Sequence, residues 1–190
     1  MNIQETLFVS VDIETTGLGK EAKILEIGAI KFFPFGLTTE YFDELVHPGI
    51  EIPEIVTAIH GITNEMVINC PEIQYVLEKW VQFIGKVPLF AHNSPFDFRF
   101  LTRDIEAAGF TPLNNPIYDT LKLARTAFPK IKHNLSALCQ YLGIPIPESR
   151  HRGLTDAILA AKVFECCVYQ LKIETMEELN QLSPSLCFPI

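Results

Sequence analysis

The sequence predicts an α/β fold, one mixed five-stranded sheet flanked by helices. Residues 7–14, 23–33 and 39–47 are three successive strand-like runs, and Pro34-Phe35-Gly36 supplies turn chemistry between the last two, so the three form an antiparallel meander. After them, short apolar runs alternate with helix-length amphipathic stretches, the pattern of βα units. A chain of 190 residues with 48% hydrophobic content can bury a full core of this kind.

Each element has its local reason. Short helical pieces are expected at 54–59 and 64–68, then a helix over 71–84 with Ile73, Val76, Leu77, Trp80, Phe83 and Ile84 at helical spacing and Gly85 as its stop. Residues 87–92 read as a compact strand. Ser94-Pro95 reads as an N-cap and first-turn proline opening a helix to 108. A short strand at 116–119 leads into a helix over 120–128, and a second helix covers 134–142 before Gly143. The last long helix runs from about 154 through 168, followed by a charged helix over 174–182. No repeat or interdomain linker interrupts the chain, so the expectation is a single domain over 1–190, with a core of about 7–170 and a terminal helix and tail over 171–190. The predicted arrangement resembles the ribonuclease H-like fold.

The composition excludes several classes. The apolar runs are shorter than the roughly 18 residues that span a bilayer, and the first six residues lack a basic start followed by an apolar stretch. A soluble, cytoplasmic protein with no membrane partner is expected. The five cysteines form no CxxC pair and read as reduced thiols, with Cys166 and Cys167 inside a helical apolar pattern that suits core packing. The net charge of −8 argues against coating long nucleic acids, yet residues 121–152 hold six basic residues against Glu148 alone. A local basic segment of this sort fits contact with a few phosphates, and a solvated helix face is the alternative.

The candidate chemistry begins at Asp12 and Glu14. In a strand, alternate side chains share a face, which puts Ser10, Asp12 and Glu14 on one side and Val11 and Ile13 on the other. Two carboxylates on a buried face would be forced to protonate unless a divalent cation kept them ionised. A solvated or Lys-paired strand end is the other reading of the pair. Thr15-Thr16-Gly17-Leu18 follows directly, and Gly permits a turn whose backbone N–H groups face a phosphate or sugar. Asp97 stands three residues after Ser94, which is capping-box spacing, but its helix also starts at the sheet edge where open α/β sheets place ligands. His151 precedes Asp156 by five residues, the His in a loop and the Asp in a first helical turn. An anchored carboxylate can hold metal there while the imidazole approaches a water, and ordinary helix-dipole stabilisation is the competing account of Asp156.

The segments FVSVDIETTGL, IHGIT, AHNSPFDFRFL, IYDTLKLAR, HNLSALCQYLGI and HRGLTDA together resemble the DEDDh 3′-to-5′ exonucleases, the DnaQ-like group that includes the proofreading epsilon subunit of DNA polymerase III. The resemblance runs from about Leu7 to Val168, and the acidic pair, the central Asp and the His-plus-Asp motif occur in order. It implies that Asp12, Glu14, Asp97 and Asp156 ligate two divalent cations, Mg2+ or Mn2+, with His151 as general base. It also implies that Thr15, Thr16, Gly17 and Leu18 contact the terminal nucleotide, in a pocket lined by His60, Asn93 and Phe96. For His60 a solvated turn residue, and for Phe96 a core aromatic, are the ordinary alternatives.

Two ions roughly 3.5–4 Å apart bind a scissile phosphate, activate water and stabilise the leaving 3′ oxygen, so the implied product is a nucleoside 5′-monophosphate. Nucleic-acid 3′ ends are the implied partner, single-stranded or frayed DNA ahead of RNA, with a DNA polymerase subunit as a candidate tether. Residue types leave open the choice of DNA or RNA and the oligomeric state. A non-catalytic binding module is the rival from another class, disfavoured because all five catalytic positions are filled.

Overall fold

Strand β1 (Phe8–Thr15) lies at the centre of the sheet, with packed residues on both of its faces. In the computed structural model, which describes residues 1–36, 38, 40–148 and 151–186, Val9, Val11 and Ile13 enter one hydrophobic cluster and Phe8 enters another. That is strand alternation with a core on either side.

Strands β2 (Ile24–Phe32) and β3 (Tyr41–Leu45) extend the meander antiparallel, and β4 (Leu89–Ala91) and β5 (Ile117–Asp119) join parallel on the other side. The spatial order is β3-β2-β1-β4-β5, the mixed five-stranded sheet that the sequence predicts. The strands stop one or two residues short of most expected ends, where ladder pairing gives way to turns. Of the third strand's expected range, Thr39 lies outside the described residues.

Two helical layers cover the sheet. Between β3 and β4 come α1 (Glu54–His60), α2 (Asn64–Val67) and α3 (Ile73–Ile84), and α4 (Ser94–Ala107) follows β4. Helices α3 and α4 bring Val76, Leu77, Trp80, Phe98 and Leu101 against Val9, Val11 and Ile13. On the opposite face lie α5 (Thr120–Ala127), α6 (Leu135–Leu142) and α7 (Gly153–Leu171), whose Leu123, Leu138 and Phe164 pack on Phe8, Phe32 and Phe90. Phe8 meets Phe90 edge-on at 5.1 Å between ring centroids, an arrangement that adds to simple area burial.

Helix α7 runs three residues beyond its expected end and stops where Lys172 turns left-handed. Helix α8 (Met176–Leu182) starts two residues later than expected because Thr175 caps it, accepting from the Glu178 amide while the Glu178 carboxylate accepts from Thr175. Cys139 and Cys167 are core residues and Cys166 is half-buried. Among the described residues no helix is long and apolar enough to cross a membrane.

Candidate active site

The register of β1 against β2 pairs Asp12 with Gly28 and Glu14 with Glu26. Asp12 and Glu14 therefore point to the face that α7 covers, as Phe8 does. Helix α7 begins directly over this spot. A Cβ built on Gly28 would lie 1.9 Å from the Gly153 carbonyl carbon and the Leu154 nitrogen, so two backbones cross with no room for a side chain. One turn in, buried Asp156 meets the strand, and carboxylate oxygens of Asp12, Glu14 and Asp156 all lie within 4.8 Å of one another.

Asp97 reaches the same strand from the other layer. The helix it belongs to is capped differently from expectation: Asn93, left-handed at φ 74°, holds the N-cap position, and Ser94 is the buried first helical residue. Asp97 forms no capping box with Ser94. Its Oδ1 accepts from the Ile13 amide at 3.2 Å, which joins α4 to β1 between the two strand acids. It is not one of the three acids with oxygens in mutual reach.

The electrostatics follow from crowding. Burial, then Asp97, Glu14, Asp156 and Glu26, push Asp12 well above the usual carboxylate range. Burial and the Glu26 charge raise Glu14 to about 8, against a lowering pull from Arg152. Asp97 is likewise raised to about 8 by burial, opposed by hydrogen bonds from backbone amides. Acids crowded into one site thus hold protons that a multivalent cation would displace.

Each of the remaining expected residues has a defined local setting. His151, half-buried and left-handed at φ 65°, stands two residues before α7. His60 is 5% exposed, its Nδ1 accepting from the Ile62 amide at 3.0 Å, and burial pushes its pKa down. It is a buried residue held by the Ile62 amide, not the solvated turn residue of the alternative reading. The hydroxyls of Thr15 and Thr16 close the following loop, Thr15 donating to the Gly17 carbonyl and Thr16 accepting from the Lys23 amide. Leu18 is 78% exposed, with its carbonyl held by the Arg99 guanidinium at 3.1 Å. Phe96 is half-buried, edge-on to Phe100 at 5.2 Å, with Arg99 near its face. The Asn93 amide donates to Asp119, which also caps α5 by accepting from Leu121.

Sequence reasoning missed the group that holds α7 in place. Glu26, fully buried on β2, accepts from Arg152 Nε at 2.9 Å and from the Gly153 amide at 2.6 Å. A carboxylate with a guanidinium and a helix N-terminal amide is well satisfied. The signal was present, since Glu26 and Gly28 interrupt the apolar run from Ile24 to Ile30.

Comparison with known proteins agrees with this geometry. The exonuclease family of RNase T type matches residues 9–164. The chain belongs to that family. Over 169 residues it is 38% identical to the PolC-type DNA polymerase III of Clostridium perfringens, covering 88% of this chain and 12% of the relative. Over 167 residues it is 39% identical to a DNA polymerase III subunit epsilon-like protein of Rhodobacter capsulatus, covering 85% and 24%. It thus spans a quarter or less of these relatives' length. Exonuclease X, solved with 5′-overhanging duplex DNA, superposes with a TM-score of 0.73 at 25% identity, over 93% of this chain and 98% of that one. The nuclease domain of 3′hExo, a DEDDh family member, shares the fold at a TM-score of 0.72 and 18% identity, over 86% and 92%. The ordered acidic motifs accordingly lie in an exonuclease-family chain whose fold these solved nucleases share.

Glu26→Gln should test the Glu26–Arg152 pair, because it keeps the shape and removes the charge facing the guanidinium. Stability is expected to fall by about 1–2 kcal/mol and nuclease kcat/KM by roughly tenfold as α7 loosens. Urea melts and kinetics at wild-type values would show that the pair does not position the site.

Proposed function

We propose that this exonuclease removes nucleoside 5′-monophosphates from the 3′ end of single-stranded or frayed DNA, using two divalent cations, Mg2+ or Mn2+. The observation that carries the reading is the convergence of Asp12, Glu14 and Asp156 within 4.8 Å on the covered face of the sheet. Their donors are all carboxylate oxygens, which suit hard divalent ions, and the raised pKa values of Asp12 and Glu14 record an unmet need for positive charge. Asp12, Glu14, Asp97 and Asp156 would hold the ions. When bound, such ions supply the charge that acidifies a water and offsets the negative charge on the scissile phosphate and the leaving 3′ oxygen.

The chain's own groups do the rest. His151, beside the first turn of α7, accepts the proton of the attacking water. Thr15, Thr16 and Gly17 shape the loop that presents Leu18, and Leu18 and Phe96 flank the base of the terminal nucleotide, with His60 and Asn93 as polar contacts. A pocket for one exposed base favours unpaired ends. Few phosphates are touched, so binding is weak and distributive, and a replicative polymerase in the cytoplasm supplies the tether. Residues 1–190 act as one exonuclease unit: the Ile3 amide donates to the Glu174 carbonyl, which ties the start of the chain to the segment before α8.

The test is mononucleotide release from 3′-labelled and 5′-labelled DNA and RNA strands with Mg2+, Mn2+ or chelator. Metal-dependent shortening from the 3′ end is expected, faster on DNA. His151→Ala should cut kcat by about a hundredfold or more. Metal-independent binding without hydrolysis would overturn the reading.

A further inference from the structure

The cleft that starts at the acid cluster continues past it. From Asp12 and Asp156 a groove of about 620 Å3 runs to α5 and the start of α6, where it reaches Arg125 and His133. Most polar groups along it are committed to the fold. His92 Nε2 lies 2.8 Å from the His133 carbonyl oxygen, and His133 Nε2 lies 2.9 Å from that of Phe128, so each ring nitrogen donates to backbone. The Asn134 side chain caps α6 by accepting from Ala137.

Arg125 is the exception. It is exposed on the groove wall, and among the described residues its guanidinium has no hydrogen-bond or ion-pair partner. It is also the one Lys or Arg on the described lining of this groove. Two acids of the cluster and an uncommitted guanidinium thus line one groove, to which Leu121 and Leu135 lend apolar surface. A surface arginine on a helix is commonly just solvated. This one shares a cleft with the acid cluster in a chain of net charge −8, where an anionic ligand needs a local cation to be held.

We propose that Arg125 binds a backbone phosphate on the 5′ side of the scissile bond, so that the strand leading to the cleaved end lies along this groove. The inference rests on the exonuclease reading above and adds the path of the strand to it. The terminal nucleotide then sits toward Leu18 and Phe96, and the preceding nucleotides run toward α5 and α6. A guanidinium suits this task because its planar fork donates to two phosphate oxygens together.

The experiment compares two substrates with Mn2+ or Mg2+: a labelled oligothymidylate, and the p-nitrophenyl ester of thymidine 5′-monophosphate, in which nitrophenol replaces everything 5′ of the scissile phosphate. Arg125→Gln should lower kcat/KM for the oligonucleotide about tenfold relative to the ester, through KM, and Arg125→Lys should recover part of it. Anisotropy of labelled oligothymidylate in Ca2+ gives a second readout. There the salt dependence of binding should flatten by about 0.7 in log–log slope, the share of one single-strand phosphate contact. An equal loss on both substrates, or no loss on the oligonucleotide, overturns the proposal. Wild-type protein that hydrolyses neither substrate overturns the exonuclease reading itself, a result distinct from any effect of Arg125.

Discussion

Gly28→Ala is expected to cost about 3 kcal/mol or more of stability and to abolish nuclease activity. The added methyl would sit 1.9 Å from the Gly153 carbonyl carbon and the Leu154 nitrogen, and both neighbours are backbone, with no flexible side chain to yield. Overpacking of this kind usually costs roughly 1–3 kcal/mol, and more where the neighbours are fixed. Here the N-terminus of α7 must lift. It would carry Asp156 away from Asp12 and Glu14, strain the bond from the Gly153 amide to Glu26 and move His151 with it. A displacement of about 1 Å is enough to cost about a hundredfold in rate. Thermal melts should show Tm lower by roughly 10 °C for a chain of this size, while Gly19→Ala, whose added methyl meets nothing within 4 Å, should melt near wild type. A Gly28→Ala protein with normal Tm and kcat would mean that the crossing is looser than the structure shows.

The same crossing marks the boundary of what the sequence could reveal. The meander, the βα units and the flanking helices were legible because period-two and period-3.6 patterns report which faces are covered, and the face assignment of Asp12 and Glu14 against Val11 and Ile13 follows from that alone. The strand order was not, since periodicity carries no information on which strands are neighbours. Local bonds were less legible. Ser94 and Asp97 have capping-box spacing, yet Asn93 takes the cap and Asp97 bonds to Ile13, 84 residues away in sequence. Nothing in the local stretch around Ser94 distinguishes those outcomes, because the competing partner is supplied by tertiary packing. Glu26 is the sharper case. A charge inside an apolar strand announces a partner, but Arg152 lies 126 residues away and becomes that partner only once α7 is laid across β2. The exposed Arg125 was visible as part of a basic segment and as the end of the IYDTLKLAR stretch, and its place on the wall of the acidic groove comes from the βα connections.

Without divalent ions the protein should become less stable as pH rises from about 4.5 to about 8.5. In the unfolded chain Asp and Glu titrate at about 4. In the folded chain Glu14 and Asp97 keep their protons to about 8, and Asp12 is shifted in the same direction. Between those limits the folded state binds more protons than the unfolded state, so raising the pH favours unfolding, and the loss is complete once the folded groups have ionised. A tenfold difference in proton affinity between the folded and unfolded chain is worth about 1.4 kcal/mol. Because each acid's charge raises its neighbours, the contributions overlap, and a total on the order of 5 kcal/mol is expected. His60 acts in the opposite sense, since its lowered pKa removes stability as pH falls through its titration range.

Divalent ions should reverse the dependence, because they bind only the deprotonated acids and their affinity therefore rises with pH. Melts in chelator should show Tm falling by roughly 10 °C or more across the range. Melts in Mg2+ or Mn2+ should be flat or rising, with the largest metal-induced gain at about pH 8. A chelated protein whose Tm stays level or climbs from about pH 5 to about pH 8.5 would show that the acids are already neutralised by the protein itself. Asp156→Asn supplies the control, since it removes one of the charges that raise both Asp12 and Glu14. It should stabilise the chelated protein at about pH 8 while weakening the metal's effect. The repulsion that lowers the stability of the ion-free fold is therefore the same free energy that draws cations to the site, and one substitution should diminish both.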